Sequence, residues 1–226
     1  MRKRIAILGA SQGIGAALVA HFAQMEATEV LALSRNLQKM EQRFLQKNVK
    51  CYGLDISKDV QHQITAINLE APIDILINNA GLLINKPFAT LTHQDFTESY
   101  QVNVIGIMEA TQALLPSLAP NAHIVNISSM GGFQGSLKFG GLAAYSTSKA
   151  ALCAFTELFA EEYKSSGIHM NCLCLGAVQT EMLAAAFPGY TAPTSAAQMA
   201  GFIADFALNS GAFFNGKIIP VSSTNP

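Results

Sequence analysis

The chain has 226 residues, of which 50% are hydrophobic and 13% are charged, and its formal net charge is −1. This length and apolar content suit a globular protein with a buried core, and they exclude a disordered or fibrous chain. The near-neutral charge provides no overall field that would attract nucleic acid or an anionic membrane, so neither partner is expected.

Apolar runs typical of strands alternate with amphipathic runs typical of helices along the whole chain. Strands are predicted near 3–8, 28–33, 49–54, 73–77, 122–128, 169–175 and 217–221. Helices are predicted near 13–25, 36–46, 58–70, 93–118, 144–166 and 196–209. Such alternation predicts an α/β fold, a parallel sheet with helices on both faces. No linker, signal peptide or membrane-spanning run interrupts it, so one domain is expected over 1–226.

Two stretches, 130–142 and 187–194, are rich in glycine or proline and have no regular pattern. Each follows a predicted strand at the edge where open α/β sheets bind their ligands. We therefore interpret both as candidate substrate-contacting loops, although they would also serve as plain connectors.

The first strand runs directly into a glycine-rich turn. Gly9, Gly13 and Gly15 stand in it with Ser11, Gln12 and Ile14 between them. Glycines at such a turn allow a tight bend, close backbone approach to a pyrophosphate and close helix packing, and the following helix presents its amides to phosphate. The turn therefore predicts a dinucleotide-binding site.

The second strand ends in Ser34 and Arg35, without the acidic residue that commonly holds the ribose hydroxyls of NAD. A guanidinium pairs well with the additional 2′-phosphate of NADP, which a carboxylate would repel. We therefore predict NADP(H) over NAD(H). The alternative interpretation of Arg35 is a solvated charge at a helix start.

A further series of motifs stands in a fixed order along the chain. In that order they are Gly9-x-x-x-Gly13-Ile14-Gly15, Asp55, Asn78-Asn79-Ala80-Gly81, Asn103, Ile127-Ser128-Ser129, Tyr145-x-x-x-Lys149, Gly176 and Thr180. With these motifs in register, the chain resembles the short-chain dehydrogenase/reductase family over nearly its whole length. The resemblance implies a doubly wound Rossmann fold, a seven-stranded parallel sheet in the order 3-2-1-4-5-6-7.

The resemblance also implies where the cofactor would lie. Asp55 would lie by the adenine, and Asn79, Ala80 and Gly81 beside the adenosine ribose. Gly176, Val178 and Thr180 would hold the nicotinamide end. The apolar faces of the fourth and fifth predicted helices would leave a surface for a homodimer or homotetramer.

Tyr145 and Lys149 are four residues apart on a predicted helix and so share one face. A tyrosine hydroxyl has a pKa of about 10, which a neighbouring ammonium and a positive nicotinamide ring would lower. The family pattern assigns the substrate oxygen to Ser129 rather than Ser128, and a water-linked proton path to Lys149 to Asn103. A chance i,i+4 surface pair is the alternative interpretation of Tyr145 and Lys149.

These residues predict an NADP(H)-dependent carbonyl reductase or alcohol dehydrogenase. With Met130, Phe133, Phe139, Met182 and Phe187 expected nearby, the substrate would be small or medium-sized and mainly apolar. One alternative is a non-catalytic NADP-sensing protein on the same fold. Another is an epimerase or lyase with a transient hydride step, although such relatives usually carry a separate substrate lobe.

The four cysteines predict neither a disulfide nor a metal site. Cys172 and Cys174 would face the same side of one strand, with no His/Cys cluster evident beside them, and Cys51 and Cys153 are distant in sequence. Buried free thiols in a reducing cytoplasm are expected.

Overall fold

A computed structural model of the protein describes residues 2–222. The expected domain range of 1–226 extends beyond it, since residue 1 and residues 223–226 lie outside the described residues. Parallel strands form the central sheet in the order β3-β2-β1-β4-β5-β6-β9. These strands are β1 Lys3–Leu8, β2 Thr28–Ser34, β3 Val49–Gly53, β4 Ile73–Asn78, β5 Leu118–Ser129, β6 His169–Leu175 and β9 Ile218–Val221.

This sheet confirms the prediction of seven parallel strands in doubly wound order. Two short strands, β7 Val178–Gln179 and β8 Thr194–Ser195, pair with each other outside it, so the last strand of the sheet is ninth in the chain. The α-helices of the described part are α1 Gly13–Ala23, α2 Leu37–Arg43, α3 Val60–Thr65, α4 His93–Tyr100, α5 Gly106–Leu114, α6 Ala143–Glu162, α7 Glu181–Ala186 and α8 Ala196–Asn209.

Alternate residues of β1 contribute to two separate core layers. Ile5 and Ile7 pack in the layer that includes buried side chains of α1 and α8. Ala6 and Leu8 pack in the opposite layer with α3, α5 and α6. Because successive strand residues face opposite sides of a sheet, a continuous apolar strand buries side chains on both faces.

The helix predicted over 93–118 is interrupted. A π-helical turn, Gln101–Ile105, separates α4 from α5. Within it, Asn103 Nδ2 donates to the Leu82 carbonyl oxygen at 2.8 Å, and Asn103 Oδ1 accepts from the Leu82 amide at 2.7 Å. A single π-helical turn leaves the spacing of apolar residues almost unchanged, so the sequence pattern does not reveal it. Such turns often lie at functional positions.

The bounds of other elements differ by a few residues from the predictions. The helices predicted at 36–46 and 58–70 are shorter, Leu37–Arg43 and Val60–Thr65, and β5 begins earlier, at Leu118. Helix ends fray and are poorly determined by periodicity. No helix within residues 2–222 combines the length and apolar character that a membrane crossing requires.

Two helical glycines differ in the space around them. A Cβ at Gly106 would lie 2.0 Å from the carbonyl oxygen of Ile56, whereas a Cβ at Gly201 of α8 would have His21 Cε1 as its nearest neighbour, at 3.9 Å. Gly106 therefore permits α5 to approach the chain after β3, and Gly201 has no such role.

We expect Gly106→Ala to destabilise the protein by about 1–3 kcal/mol, because the added methyl group overpacks against backbone. Gly201→Ala is the matched control and should stabilise it by about 0.5–1 kcal/mol through helix propensity. Urea unfolding measures both. Equal effects of the two substitutions would contradict the role assigned to Gly106.

Candidate active site

A cavity of about 730 Å³ lies at the carboxyl ends of the central strands. It spans the gap between β1 and β4, where the strand order reverses and open α/β sheets bind ligands. Gly15 and Asn103 are the predicted site residues that do not line it. The predicted site residues that do are Gly9, Ser11, Gln12, Gly13, Ile14, Ser34, Arg35, Asp55, Asn79, Ala80, Gly81, Ser129, Tyr145, Lys149, Gly176, Val178 and Thr180.

The glycine turn forms the floor of the cavity between β1 and α1. Gly9 has φ +78°, and a Cβ there would lie 2.6 Å from the Cα of Ala80. A Cβ at Gly15 would lie 2.1 Å from the Gly9 carbonyl oxygen, so Gly15 packs α1 against the turn instead of facing the cavity. The N-cap Gln12 makes no side-chain cap bond, so its side chain leaves the first amides of α1 available.

The turn after β4 is bonded to the glycine turn and to β5. Asn79 Nδ2 donates to the Gly9 carbonyl oxygen at 3.1 Å. Asn78 is fully buried, and its Nδ2 donates to Asn126 Oδ1 at 2.7 Å. These amide side chains fix the two turns that flank the cavity relative to each other.

Cationic side chains lie at the end of β2. Arg35 and Lys39 line the cavity, and neither side chain has a hydrogen bond or ion pair among the described residues. Ser34 Oγ donates to Ser11 Oγ at 2.9 Å. Sequence reasoning missed Lys39, which stands in the first turn of α2, four residues after Arg35.

Asp55 lines the cavity after β3, the strand next to β2. Its carboxylate accepts hydrogen bonds from the Ser57 amide at 3.0 Å and the Ser57 hydroxyl at 2.6 Å. Burial raises the pKa of Asp55, but the Ser57 hydrogen bonds and the charge of Arg35 outweigh it, so the pKa lies below its ordinary value. The carboxylate is therefore ionised at neutral pH.

Ser129, Tyr145 and Lys149 meet at the inner end of the cavity. The Ser129 hydroxyl lies near the Tyr145 hydroxyl and acts to lower its pKa. Lys149 Nζ lies 6.0 Å from the centroid of the Tyr145 ring and donates to the Ile127 carbonyl oxygen at 2.9 Å. Lys149 is only 4% exposed, which rules out a chance pair on the protein surface.

The two neighbouring serines differ in their bonds. Ser128 is buried, and its hydroxyl donates to the Lys149 carbonyl oxygen at 2.9 Å. Ser129 is half-buried and accepts from the Gly131 amide at 3.1 Å. Only Ser129 therefore presents its hydroxyl beside the phenol, as the family pattern implies.

Asn103 lies behind the cavity wall. Its Nδ2 donates to Ser148 Oγ at 2.9 Å, in addition to its two bonds with Leu82. A Cβ at Gly81 would lie 3.3 Å from both Asn103 Oδ1 and Lys149 Nζ. Through its bonds with Leu82, Asn103 thus holds in place the segment 81–82, which lies between Asn103 and the Lys149 ammonium.

Burial dominates the titration of the two central groups. It raises the pKa of Tyr145 above its ordinary value, and the nearby Ser129 hydroxyl offsets this only in part. The net shift is opposite to the lowering expected from the neighbouring ammonium. Burial also lowers the pKa of Lys149 to about 8.

Apolar side chains line the outer part of the cavity. Met130, Phe139, Met182 and Phe187 lie there as expected. Tyr190 and Pro193 of the predicted loop 187–194 line it as well, and Leu183 is the lining residue that sequence reasoning did not single out. Phe133 is an exception, because it packs against Met130 and the buried cysteines on the other side.

The segment 85–86 connects two loops at the cavity mouth. Asn85 Nδ2 donates to the Ala186 carbonyl oxygen at 2.8 Å, and the Lys86 amide donates to the Gly141 carbonyl oxygen at 2.8 Å. Gly141 has φ +85°, and a Cβ there would lie 2.2 Å from Asn85 Oδ1. The irregular stretch 130–142 is therefore held to α7 through this segment.

A third thiol lies beside the two cysteines of β6. Cys172 and Cys174 face one side, as predicted, but Cys153 of α6 contacts both. The expectation that no cluster surrounds them is therefore wrong, because the crossover from α6 to β6 brings distant positions together. All four cysteines are free.

The sequence profile of the short chain dehydrogenase family matches residues 3–191. The ketoacyl reductase HetN of Nostoc sp. is 32% identical over 214 residues, covering 86% of this chain and 72% of that protein. The 3-oxoacyl-(acyl-carrier-protein) reductase FabG of Aquifex aeolicus is 30% identical over 188 residues, covering 79% of this chain and 75% of that protein.

Solved structures share the fold over nearly the whole chain. A short chain dehydrogenase from Burkholderia cenocepacia in complex with NADP superposes with a TM-score of 0.87 at 24% identity, covering 99% of this chain and 97% of that one. A 3-ketoacyl-(acyl-carrier-protein) reductase from Brucella melitensis complexed with NADH superposes with a TM-score of 0.84 at 22% identity, covering 97% and 96%. From the profile match and the curated relatives, the chain belongs to the short chain dehydrogenase family of oxidoreductase enzymes.

Proposed function

We propose that this enzyme reduces a small or medium-sized, mainly apolar carbonyl compound with NADPH, and catalyses the reverse oxidation with NADP. The observation that carries the proposal is the meeting of Ser129, Tyr145 and Lys149 at the inner end of a cavity that begins at a glycine turn. The catalytic unit we propose is one domain over 1–226.

The residues of the cavity fit a dinucleotide. The cradle formed by Gly9 and Ala80 would be filled by any Cβ at Gly9, and the uncapped start of α1 suits a pyrophosphate. The bound cofactor supplies the hydride for the carbonyl carbon. Asp55, Asn79 and Gly81 would hold its adenosine half, and Gly176, Val178 and Thr180 its nicotinamide half.

In the reduction, Tyr145 donates its phenolic proton to the substrate oxygen. Its raised pKa keeps the phenol protonated at neutral pH, which is the form that this step requires. Ser129 donates a hydrogen bond to the same oxygen and aligns it with the phenol. Lys149 favours the transient tyrosinate by its charge, and Asn103 positions the segment beside Lys149.

The preference for NADP is proposed on Arg35 and Lys39. Two cations that follow β2, neither with a hydrogen bond or ion pair among residues 2–222, suit a 2′-phosphate, and no carboxylate stands at that strand end to repel it. The solved relative from Burkholderia cenocepacia binds NADP, whereas the one from Brucella melitensis is complexed with NADH.

The side chains that line the cavity are the basis for the proposed substrate class. Met130, Phe139, Met182 and Phe187 offer apolar surface, so an extended apolar chain or ring next to the carbonyl would be favoured. Two of the curated relatives are named as a ketoacyl reductase and a 3-oxoacyl-(acyl-carrier-protein) reductase, which is in keeping with a carbonyl substrate that carries an apolar chain.

Exposed apolar side chains on α6 and on α5 with the turn before it are the basis for proposing a homo-oligomer. Ile105, Met108 and Leu158 are 43%, 41% and 70% exposed, more than a face that only covers the sheet requires. A reducing cytoplasm is proposed as the location, since three adjacent thiols are unpaired.

A spectroscopic assay tests the function and its rivals. Protein is mixed with NADPH or NADH and a panel of ketones, aldehydes and acyl thioesters, and the absorbance of the reduced nicotinamide is followed. Net loss of NADPH supports the reductase. Binding without turnover supports an NADP sensor, and conversion without net loss of NADPH supports an epimerase or lyase.

Tyr145→Phe should lower kcat by about 10²–10⁴-fold, because it removes the proton donor and keeps the ring. NADPH affinity should change little. Tyr190→Phe is the matched control, since Tyr190 also lines the cavity and is 50% exposed. Near-normal turnover of Tyr145→Phe would refute the proposed role.

Arg35→Ala should raise the KM for NADPH by about 10–100-fold, because one charge-assisted hydrogen bond contributes about 1.5–3 kcal/mol. The KM for NADH should stay within about twofold, since NADH lacks the 2′-phosphate. Arg43→Ala removes the same charge from α2 outside the cavity and serves as control. An equal loss for both cofactors would contradict the proposed phosphate contact.

The burial of Lys149 makes stability depend on pH. Its folded pKa of about 8 lies below its ordinary value of 10.5, so the unfolded chain binds more protons between these values and stability rises with pH in that window. Relative to Lys149→Met, the wild-type protein should gain about 2 kcal/mol of unfolding free energy from about pH 7 to about pH 9.5. Urea unfolding across that range measures the difference, and a difference independent of pH would contradict it.

A further inference from the structure

Three thiols from two elements converge behind the proposed active site. Cys153 Sγ lies 3.6 Å from Cys174 Sγ and 3.9 Å from Cys172 Sγ. All three sulfur atoms lie within 4.8 Å of one another. The two cysteines of β6 are fully buried, and Cys153 is 8% exposed.

These separations match those of thiolates around one metal ion. With a metal–sulfur distance of about 2.3 Å, sulfur atoms at the corners of a triangle lie about 4 Å apart. The two measured separations fall close to this value, and they join atoms on different elements. A small adjustment of side chains therefore suffices to place one ion among them.

The surroundings of the three thiols are soft and largely apolar. Met130 packs in the same cluster, with Phe133 and Ile218 against it. Among the described residues, no histidine or carboxylate joins the three thiols as a further potential ligand. Ser128 Oγ lies 3.5 Å from Cys153 Sγ, but its hydrogen goes to the Lys149 carbonyl oxygen.

The three thiols lie directly behind the cavity wall. Ser128 and Met130 line the cavity on one side and contact the thiols on the other. The Lys149 ammonium, on the same side, supplies a positive charge near any thiolates that form. An ion that enters the cavity thus has only one layer of side chains to pass.

We propose that Cys153, Cys172 and Cys174 form a three-coordinate site for a single Cu⁺ ion. Sulfur ligands select soft ions, and Cu⁺ accepts an all-sulfur set. Structural zinc sites are closed by four ligands, and a fourth is missing in this group. The site is separate from the proposed hydride chemistry and does not depend on it.

Anaerobic titration of the whole protein with Cu⁺ against a coloured Cu⁺ chelator tests the site. One equivalent of Cu⁺ should be withheld from the chelator, with thiolate-to-copper absorption in the near ultraviolet. A parallel titration with Zn²⁺ should show no comparable retention. Retention of Zn²⁺ in preference to Cu⁺ would overturn the proposal.

Variants locate the bound ion. Cys153→Ala should weaken Cu⁺ retention by at least about a hundredfold, since loss of a ligand exceeds the effect of losing its outer-shell support. Cys51→Ala is the matched control, because Cys51 lies on β3 and outside the cluster, and it should retain Cu⁺ as the wild type does. Equal retention by the two variants, or equal loss, would overturn the proposal.

X-ray absorption at the copper edge of the loaded wild-type protein gives a result that needs no variant. Three sulfur neighbours are expected. Two sulfur neighbours, or any nitrogen or oxygen neighbour, would overturn the site even if Cys153→Ala failed to fold. Because these measurements do not involve turnover, their outcome is independent of the proposed reductase activity.

Discussion

A reciprocal pair of hydrogen bonds between α6 and β5 sets the geometry on which the proposed site depends. Lys149 Nζ donates to the Ile127 carbonyl oxygen, and Ser128 Oγ donates to the Lys149 carbonyl oxygen. These bonds fix both the rotation of α6 about its axis and its position along the strand. Tyr145, one turn earlier on the helix, is thereby held opposite Ser129, one residue later on the strand. Both groups come from regular elements, which hold side chains more precisely than loops do.

The core beneath the cavity contains buried polar and charged side chains, which require hydrogen-bond partners. An ammonium that lies 4% exposed requires a carbonyl partner, and it finds one at the end of a strand. Asn78, Asn126 and Thr156 form a further buried chain of polar side chains, with Asn126 Nδ2 donating to Thr156 Oγ1 at 2.9 Å. Asn78 Oδ1 has no hydrogen-bond partner among the described residues, whereas its Nδ2 and Asn126 Nδ2 are paired. Paired polar groups of this kind favour one packing of helix on sheet, because another packing leaves them without partners.

Much of the fold follows from the sequence, because continuous apolar strands and amphipathic helices alternate without interruption. The strand order and the site residues came from the resemblance, and the structure brings the predicted cavity residues together. What the sequence does not show depends on contacts between distant positions. Asn103 in the π-helical turn bonds with Leu82, Phe133 packs toward the cysteines, and Cys153 reaches Cys172 only across the crossover. Lys39 is different, since its spacing from Arg35 was visible in the sequence.

The segment 85–86 bears on how this enzyme would be redesigned. Asn85 is bonded to the end of α7 and Lys86 to the loop before α6, so the two irregular walls of the cavity mouth share one anchor. If the loop 130–142 or the end of α7 were replaced by that of a relative, the new segment would lack these bonds unless residues 85–86 were replaced as well. Altering the range of accepted compounds therefore means exchanging three stretches of chain as a set, although only two of them face the incoming molecule.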